Sequence, residues 1–196
     1  GITRTAARRH LLTLAHLGYA ETDGKQFWLT PRVLRLGDGF REGTRLPRLV
    51  QPYIQQLSAQ VGETVNFSVL DGHEVLYLAR SNSPRIVSLG FHPGDRAPAH
   101  AVAPGVVLAA SLADDALDTW AAGHAFDSYT ARTVTTAQRF VQQARAAREQ
   151  GYWVLEQQLD HAFSGVAIAI TDRRGRCHGA VGLTLQASLW PRKAVE

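Results

Sequence analysis

The chain has 196 residues, 45% hydrophobic and 19% charged, with a formal net charge of +4, a composition ordinary for a globular protein. No apolar run approaches the roughly 18 residues of a membrane span, no signal-peptide pattern is present, and a cytoplasmic home follows. A single cysteine, Cys177, excludes an internal disulfide framework and any multi-cysteine zinc module.

The chain begins at Gly1 and holds no methionine, which marks it as a fragment, a processed chain, or one from which modified residues have been lost. Its charge is uneven. Residues 1–48 carry nine Arg and Lys against four Asp and Glu, and the remainder twelve against thirteen. A polyanion partner for the first quarter is the natural reading, a solvated basic surface the alternative.

Helical spacing predicts a helix over 2–17, with Thr3 as N-cap and Gly18 as terminator. Ala7, Leu11, Leu14 and Leu17 form its apolar stripe. Arg4 and Arg8 lie four apart, as do Thr5 and Arg9, so hydrogen-bond donors gather in the opening turns. A major-groove recognition helix needs this layout, with donors near its start and an apolar end anchored in a small core. Asp23-Gly24 between two short strand-like runs predicts a hairpin with Lys25 at its tip. Helix plus hairpin is a winged arrangement that can reach phosphate, or a piece of some other α+β domain. Thr30-Pro31 starts a further helix with a seam of Val33, Leu36, Gly37 and Phe40, suited to a linker that pairs with its copy or to a packed core helix. Residues 41–48, with Gly43 and Pro47, read as a boundary.

Beyond it, a helix is expected over 47–60 with Leu49, Val50, Tyr53, Ile54 and Leu57 on its apolar face, despite Pro52. Strands follow at 64–70 and 74–80, joined by an Asp71-Gly72 turn, with a third at 85–91 and a turn at 93–95. Residues 99–112 are small and apolar and read as a buried helix. Helices are expected at 114–121 and 135–150, and strands at 152–155, 165–171 and 176–186. The fold class is α+β, with an antiparallel sheet flanked by helices. Nucleotide-loop, nucleophile-elbow and zinc-protease motifs are absent, so catalysis is not expected. His100, His161 and His178 can line a cavity or serve as ordinary core or surface histidines. Small residues at 103–105, 162–165, 179 and 182 leave room for a guest, or for tight packing alone.

Three stretches, Arg4-Thr5-Ala6-Ala7-Arg8-Arg9-His10-Leu11-Leu12, Leu17-Gly18-Tyr19 and Phe27-Trp28-Leu29-Thr30-Pro31, together resemble the IclR family of bacterial regulators. Val69-Leu70-Asp71-Gly72, Tyr77-Leu78-Ala79-Arg80 and Gly94-Asp95-Arg96-Ala97-Pro98-Ala99 continue the likeness. The branch it resembles most regulates protocatechuate, 4-hydroxybenzoate and β-ketoadipate catabolism. The resemblance implies a partial winged helix-turn-helix over 1–30, a linker helix over 31–46, and a GAF-like effector domain over 47–196. It implies dimers or dimers of dimers on palindromic operator DNA, with no cofactor or metal and no membrane. DNA contacts would fall to Thr3, Arg4, Thr5, Arg8, Arg9 and Lys25. The effector, a small carboxylic acid, would meet His100, Ala103, Pro104 and Gly105 on one side. Leu155, Glu156 and Gly165 would form another side, with Gly182 and Thr184 on the last strand. Arg85, Arg96 or His100 would pair with the carboxylate. Val106, Gln158, Ala162 and Ala169 depart from the branch, which has a basic residue, glutamate, glycine and proline there. The function expected is effector-controlled transcription regulation; a small-molecule or interaction module without DNA contact, and an enzyme on a GAF-like scaffold, are the alternatives.

Overall fold

The computed structural model describes residues 1–43, 45–81 and 91–190, and these divide into two compact units, Gly1–Arg48 and Leu49–Glu196.

The first unit opens with helix α1 (Arg4–His16), whose N-cap Thr3 accepts a bond from Ala6 N–H. A hairpin of β1 (Ala20–Thr22) and β2 (Phe27–Leu29) follows. Asp23 shapes its turn by accepting from the N–H groups of Lys25 and Gln26, the Asx geometry that makes Asp-Gly a turn signal. Thr30 caps a 3₁₀ turn (Pro31–Val33) that leads into α2 (Leu34–Gly43). No residue of α1 is buried, and Leu12, Leu14 and Leu17 are exposed. The anchoring core expected beneath this stripe is therefore not supplied by the described residues of the unit.

Helix α3 (Arg45–Val61) begins two residues before the expected start and runs through Pro52. Its buried stripe centres on Ile54 and Ser58. Leu49 and Tyr53, expected on the apolar face, point to solvent at 63% and 72% exposure. The five apolar positions expected on one face overspecify a helix whose buried seam is narrow.

The second unit is built on a six-stranded antiparallel sheet in the order β5-β4-β3-β8-β7-β6. Its strands are β3 (Thr64–Asp71), β4 (Glu74–Ser81), β5 (Arg96–Pro98), β6 (Trp153–Glu156), β7 (Phe163–Thr171) and β8 (Cys177–Gln186). The strand expected over 85–91 lies outside the described residues except for Phe91, and the short β5 takes the edge beside β4. A 3₁₀ turn (Ala99–Ala101) then leads to α4 (Ala103–Ala110), every residue of which is buried. Helices α5 (Asp114–Ala122) and α6 (Ala137–Gln150) complete the layer. Phe140, Ala144 and Ala147 form the buried stripe of α6 and join α4, Leu117 and Tyr77 in the core. Gly151 closes α6 in the left-handed conformation with φ of 80°, where a side chain would be strained.

Small residues set the distance between α4 and the sheet. A Cβ at Gly182 would lie 3.0 Å from Pro104 Cγ, tighter than an ordinary contact, whereas one at Gly165 would lie 3.5 Å from the Ala103 Cβ. Without a side chain at Gly182, the start of α4 settles close over β8.

Candidate functional site

A cavity of about 330 Å³ opens beneath the start of α4. Ala103 and Pro104 form its roof, Gly165, Gly182 and Thr184 its floor, and Leu155 one wall. A second wall carries Tyr77 and Phe91, whose rings stack at 4.4 Å and 11°. Burial, with the charge of Asp95 adding to it, pushes the Tyr77 phenol up, so it stays a protonated donor. Asn66, Gln158, Asp160 and Ser164 supply the remaining polar groups. An apolar hollow with a few placed polar groups is the usual form of a small-molecule site.

The rim at 157–162 is held in an uncommon conformation. Gln157 has φ of 51°, a left-handed backbone that costs a non-glycine residue roughly 1 kcal/mol or more. It is kept there by Thr130, whose hydroxyl donates to Gln157 O at 2.7 Å, and by Thr133, whose hydroxyl donates to Gln158 O at 2.6 Å. The Gln158 side chain accepts from Val134 N–H at 3.1 Å, so this residue fastens the rim to the loop before α6.

Among the described lining residues the only charged one is Asp160. Positive potential comes instead from the α4 N-terminus. That helix starts at Val102 with no side-chain cap, Gly105 and Val106 N–H turn back to Val102 O, and Ala103 N–H leads the first turn. A helix start carries roughly half a positive charge and favours a carboxylate.

Six of the ten residues expected to meet an effector come together here: Ala103, Pro104, Leu155, Gly165, Gly182 and Thr184. The other four lie elsewhere. Arg96 is on β5 and paired with Asp71 and with Glu74 at 2.9 Å. Glu156 faces Arg132 at 3.8 Å. Gly105 is pressed against the Ala99 backbone. His100 is fully buried in an aromatic stack with His124, Phe126 and Tyr129. Its Nε2 donates to Asp127 O at 2.9 Å, which leaves Nδ1 to accept from His124 Nε2 at 2.6 Å. His73 adds a third ring, donating from Nε2 to Trp120 O at 3.0 Å. With one nitrogen donating and the other accepting, His100 is held as its neutral Nε2–H tautomer. Burial and the adjacent His100 and His73 rings bring the His124 pKa down to about 4. Arg85 lies outside the described residues.

Asn66, Tyr77 and Ser164 were not among the expected site residues. Thr64, Asn66 and Ser68 alternate with Val65, Phe67 and Val69, which in sequence looks like a solvated face. All three are 2% exposed or less, because α4 covers that side of β3.

A second cavity, of about 430 Å³, lies at the far end of α4 beside Ser111 and Arg148. There Arg148 donates to Ala110 O and Leu112 O, each at 2.7 Å, and pairs with Asp114 at 2.8 Å. Its guanidinium closes the helix end.

In the first unit, Arg4, Thr5, Arg8 and Arg9 are all exposed on α1, and Lys25 is exposed on the hairpin turn. Arg8 Nη1 reaches Gly24 O at 3.3 Å, and Thr3 is the helix cap.

An antiparallel sheet roofed by helices, with a largely apolar cavity under one of them, has the form of a small-molecule-binding domain. The family model described as bacterial transcriptional regulator IclR, C-terminal, matches residues 42–194. The p-hydroxybenzoate hydroxylase transcriptional activator of Acinetobacter baylyi is 34% identical over 193 residues, covering 96% of this chain and 71% of that protein. A crystal structure of a transcriptional regulator from Rhodococcus sp. RHA1 superposes with a TM-score of 0.81 at 36% identity, covering 99% of this chain and 78% of the other. The inducer-binding domain of an Acinetobacter PobR double mutant, crystallised with 3-hydroxybenzoic acid, gives a TM-score of 0.70 at 27% identity over 76% of this chain and 87% of that one. The chain belongs to the IclR family of bacterial transcriptional regulators. It is a regulator with an effector-binding domain rather than an enzyme, and no helix among the described residues is long and apolar enough to cross a membrane.

Proposed function

We propose that this chain regulates transcription in response to a single-ring aromatic carboxylic acid that occupies the cavity under α4. The observation that carries this reading is the cavity's size and lining. A hollow near 150 Å³ holds benzene, so about 330 Å³ takes one substituted ring with its carboxylate and little more. The ring would lie between the Tyr77–Phe91 pair and the glycine floor, with the carboxylate at Ala103 N–H. The relative crystallised with 3-hydroxybenzoic acid supports this class of ligand.

The DNA-facing part of the proposal assigns Arg4, Thr5, Arg8 and Arg9 to a major groove and Lys25 to phosphate, with Thr3 setting the helix start. Two copies, as a homodimer or a dimer of dimers, would read a palindromic operator, and effector binding would change the relation between them.

A thermal-shift series with benzoate, 3-hydroxybenzoate, 4-hydroxybenzoate and 3,4-dihydroxybenzoate tests the effector. A ligand at 100 times its Kd adds about 2.7 kcal/mol, which raises Tm by about 5–11 °C in a chain of this size. No shift with any of these acids at millimolar concentration refutes the proposal. A full-length protein that selects no site from genomic DNA favours the module without DNA contact.

A further inference from the structure

The connection between α5 and α6, residues 123–136, carries no helix or strand, and connections of that length without secondary structure are usually functional or disordered. This one is held in place, with Thr130, Thr133 and Val134 buried. None of the described residues lining the cavity belongs to it, yet it grips the cavity from two sides. At one end His124 Nε2 donates to His100 Nδ1 at 2.6 Å, and His100 Nε2 donates to Asp127 O at 2.9 Å. The rings of Phe126 and Tyr129 pack on the same imidazole. His100 lies in the 3₁₀ turn that leads into the roof at Ala103 and Pro104. At the other end Thr130 donates to Gln157 O at 2.7 Å, Thr133 to Gln158 O at 2.6 Å, and Val134 N–H to Gln158 Oε1 at 3.1 Å. Gln158 and Asp160 of that rim line the cavity. The left-handed backbone of Gln157 persists only where its surroundings over-determine it, and this connection supplies the bond to its carbonyl.

We propose that residues 123–136 set the gap between roof and rim, and thereby the largest acid the cavity admits, with His124 and Thr130 as the positioning residues. The inference rests on the aromatic-acid reading of the cavity and adds what limits the size of the acid. Both residues act through a neighbour of the lining rather than on the ligand. Without the His124 donor, His100 Nδ1 is left unpaired and the turn ahead of α4 loses one of its two fixings. Without the Thr130 hydroxyl, Gln157 O loses its partner and the left-handed backbone is free to relax. Either loss widens the same gap, so an acid too bulky for the parent gains on one that fits. Loss of the second grip then adds little, as expected of two groups that control one distance.

The test uses titration calorimetry on the full chain with two matched pairs that differ by one fused ring: benzoate with 2-naphthoate, and 4-hydroxybenzoate with 6-hydroxy-2-naphthoate. The parent is expected to bind the single-ring member of at least one pair about ten-fold or more tightly than its partner. His124→Leu and Thr130→Val remove the donors at similar volume and should bring that ratio within about three-fold. His124→Gln, whose amide can donate in place of Nε2, and Thr130→Ser, which keeps the hydroxyl, should hold the parent's ratio. The combined His124→Leu, Thr130→Val variant should show the ratio of either single variant, while its loss in Tm is the sum of theirs. A parent that binds both members of each pair equally overturns the inference and leaves the aromatic-acid reading standing. The Leu and Val variants overturn it by keeping the parent's ratio or by weakening both acids equally, and the Gln and Ser variants by losing it. Should the variants without donors not fold, amide exchange in the parent decides. Saturating single-ring acid should slow Val134 N–H by about ten-fold more than Ser111 and Leu112 N–H at the far end of α4, and equal slowing overturns the inference. Failure of every acid to bind the parent removes the aromatic-acid reading and this inference with it.

Discussion

Replacing Gly105 and Gly165 one at a time by alanine separates two roles that look alike in sequence, since both are small residues beside the cavity. A methyl at Gly105 would lie 1.9 Å from Ala99 O and 2.5 Å from Ala99 C and Cα. These are backbone atoms of the 3₁₀ turn that feeds α4, and all of that segment is buried. Relief requires the turn and helix to part by more than about 1 Å, beyond what ordinary overpacking at about 1–3 kcal/mol demands. Gly105→Ala is therefore expected to cost about 3 kcal/mol or more, a fall in Tm of at least about 6–12 °C. At Gly165 the nearest atoms would be Leu183 O at 3.4 Å and the Ala103 Cβ at 3.5 Å, ordinary contacts. Gly165→Ala should stay within about 1 kcal/mol of the parent while placing a methyl on the cavity floor. One misplaced carbon in an apolar pocket is worth roughly 10–200-fold in discrimination, so acid binding should fall by about ten-fold or more. Urea denaturation followed by circular dichroism, with calorimetric titration of the same samples, reads both effects. A Gly105→Ala protein within 2–3 °C of the parent Tm, or a Gly165→Ala protein with unaltered affinity, would refute the division into a packing glycine and a floor glycine.

Further outcomes follow from other parts of the chain. Arg8→Ala should weaken operator binding by about ten- to a hundred-fold at fixed salt, since an arginine–guanine pair contributes roughly 1–3 kcal/mol; unchanged anisotropy titrations would remove α1 from the groove. His124 takes a proton near its usual 6.5 when unfolded but only near about 4 when folded. The unfolded chain thus binds more protons between those values, so stability is complete above pH 6.5 and declines as pH falls toward 4. Because the ring is partly exposed, the loss is on the order of 1–2 kcal/mol, and His124→Gln should flatten the melting profile over that window if the stack is its cause. Arg148→Ala removes the bonds to Ala110 O, Leu112 O and Asp114 and should cost about 2 kcal/mol, with a lower Tm but unaltered acid binding.

Local chemistry made much of this architecture readable. The Asp-Gly turns, the Thr3 and Thr30 caps and the bounds of α6 all depend on neighbours within a few residues. Features that depend on what lies above or beside an element were not readable. The three-residue β5, which ends at Pro98, has no alternation long enough to announce a strand. Polar Thr64, Asn66 and Ser68 have the period of a wet face, and only the placement of α4 makes that face dry. His100 sits one residue from the cavity lining, yet its side chain turns the other way, into rings contributed by residues 124, 126 and 129. Sequence proximity located the right segment and not the direction of the side chain.

The locked histidine rings have a mechanical consequence for the regulator. Residue 100 is tied by its two nitrogens to the backbone at 127 and the ring at 124, immediately ahead of the residues that roof the cavity. That roof is braced from behind, so it cannot slide to suit a bulkier guest without breaking the brace. Recognition is thereby delegated to a mould of fixed outline, whose rim is fastened in turn by the bonds of Gln157 and Gln158 to Thr130, Thr133 and Val134.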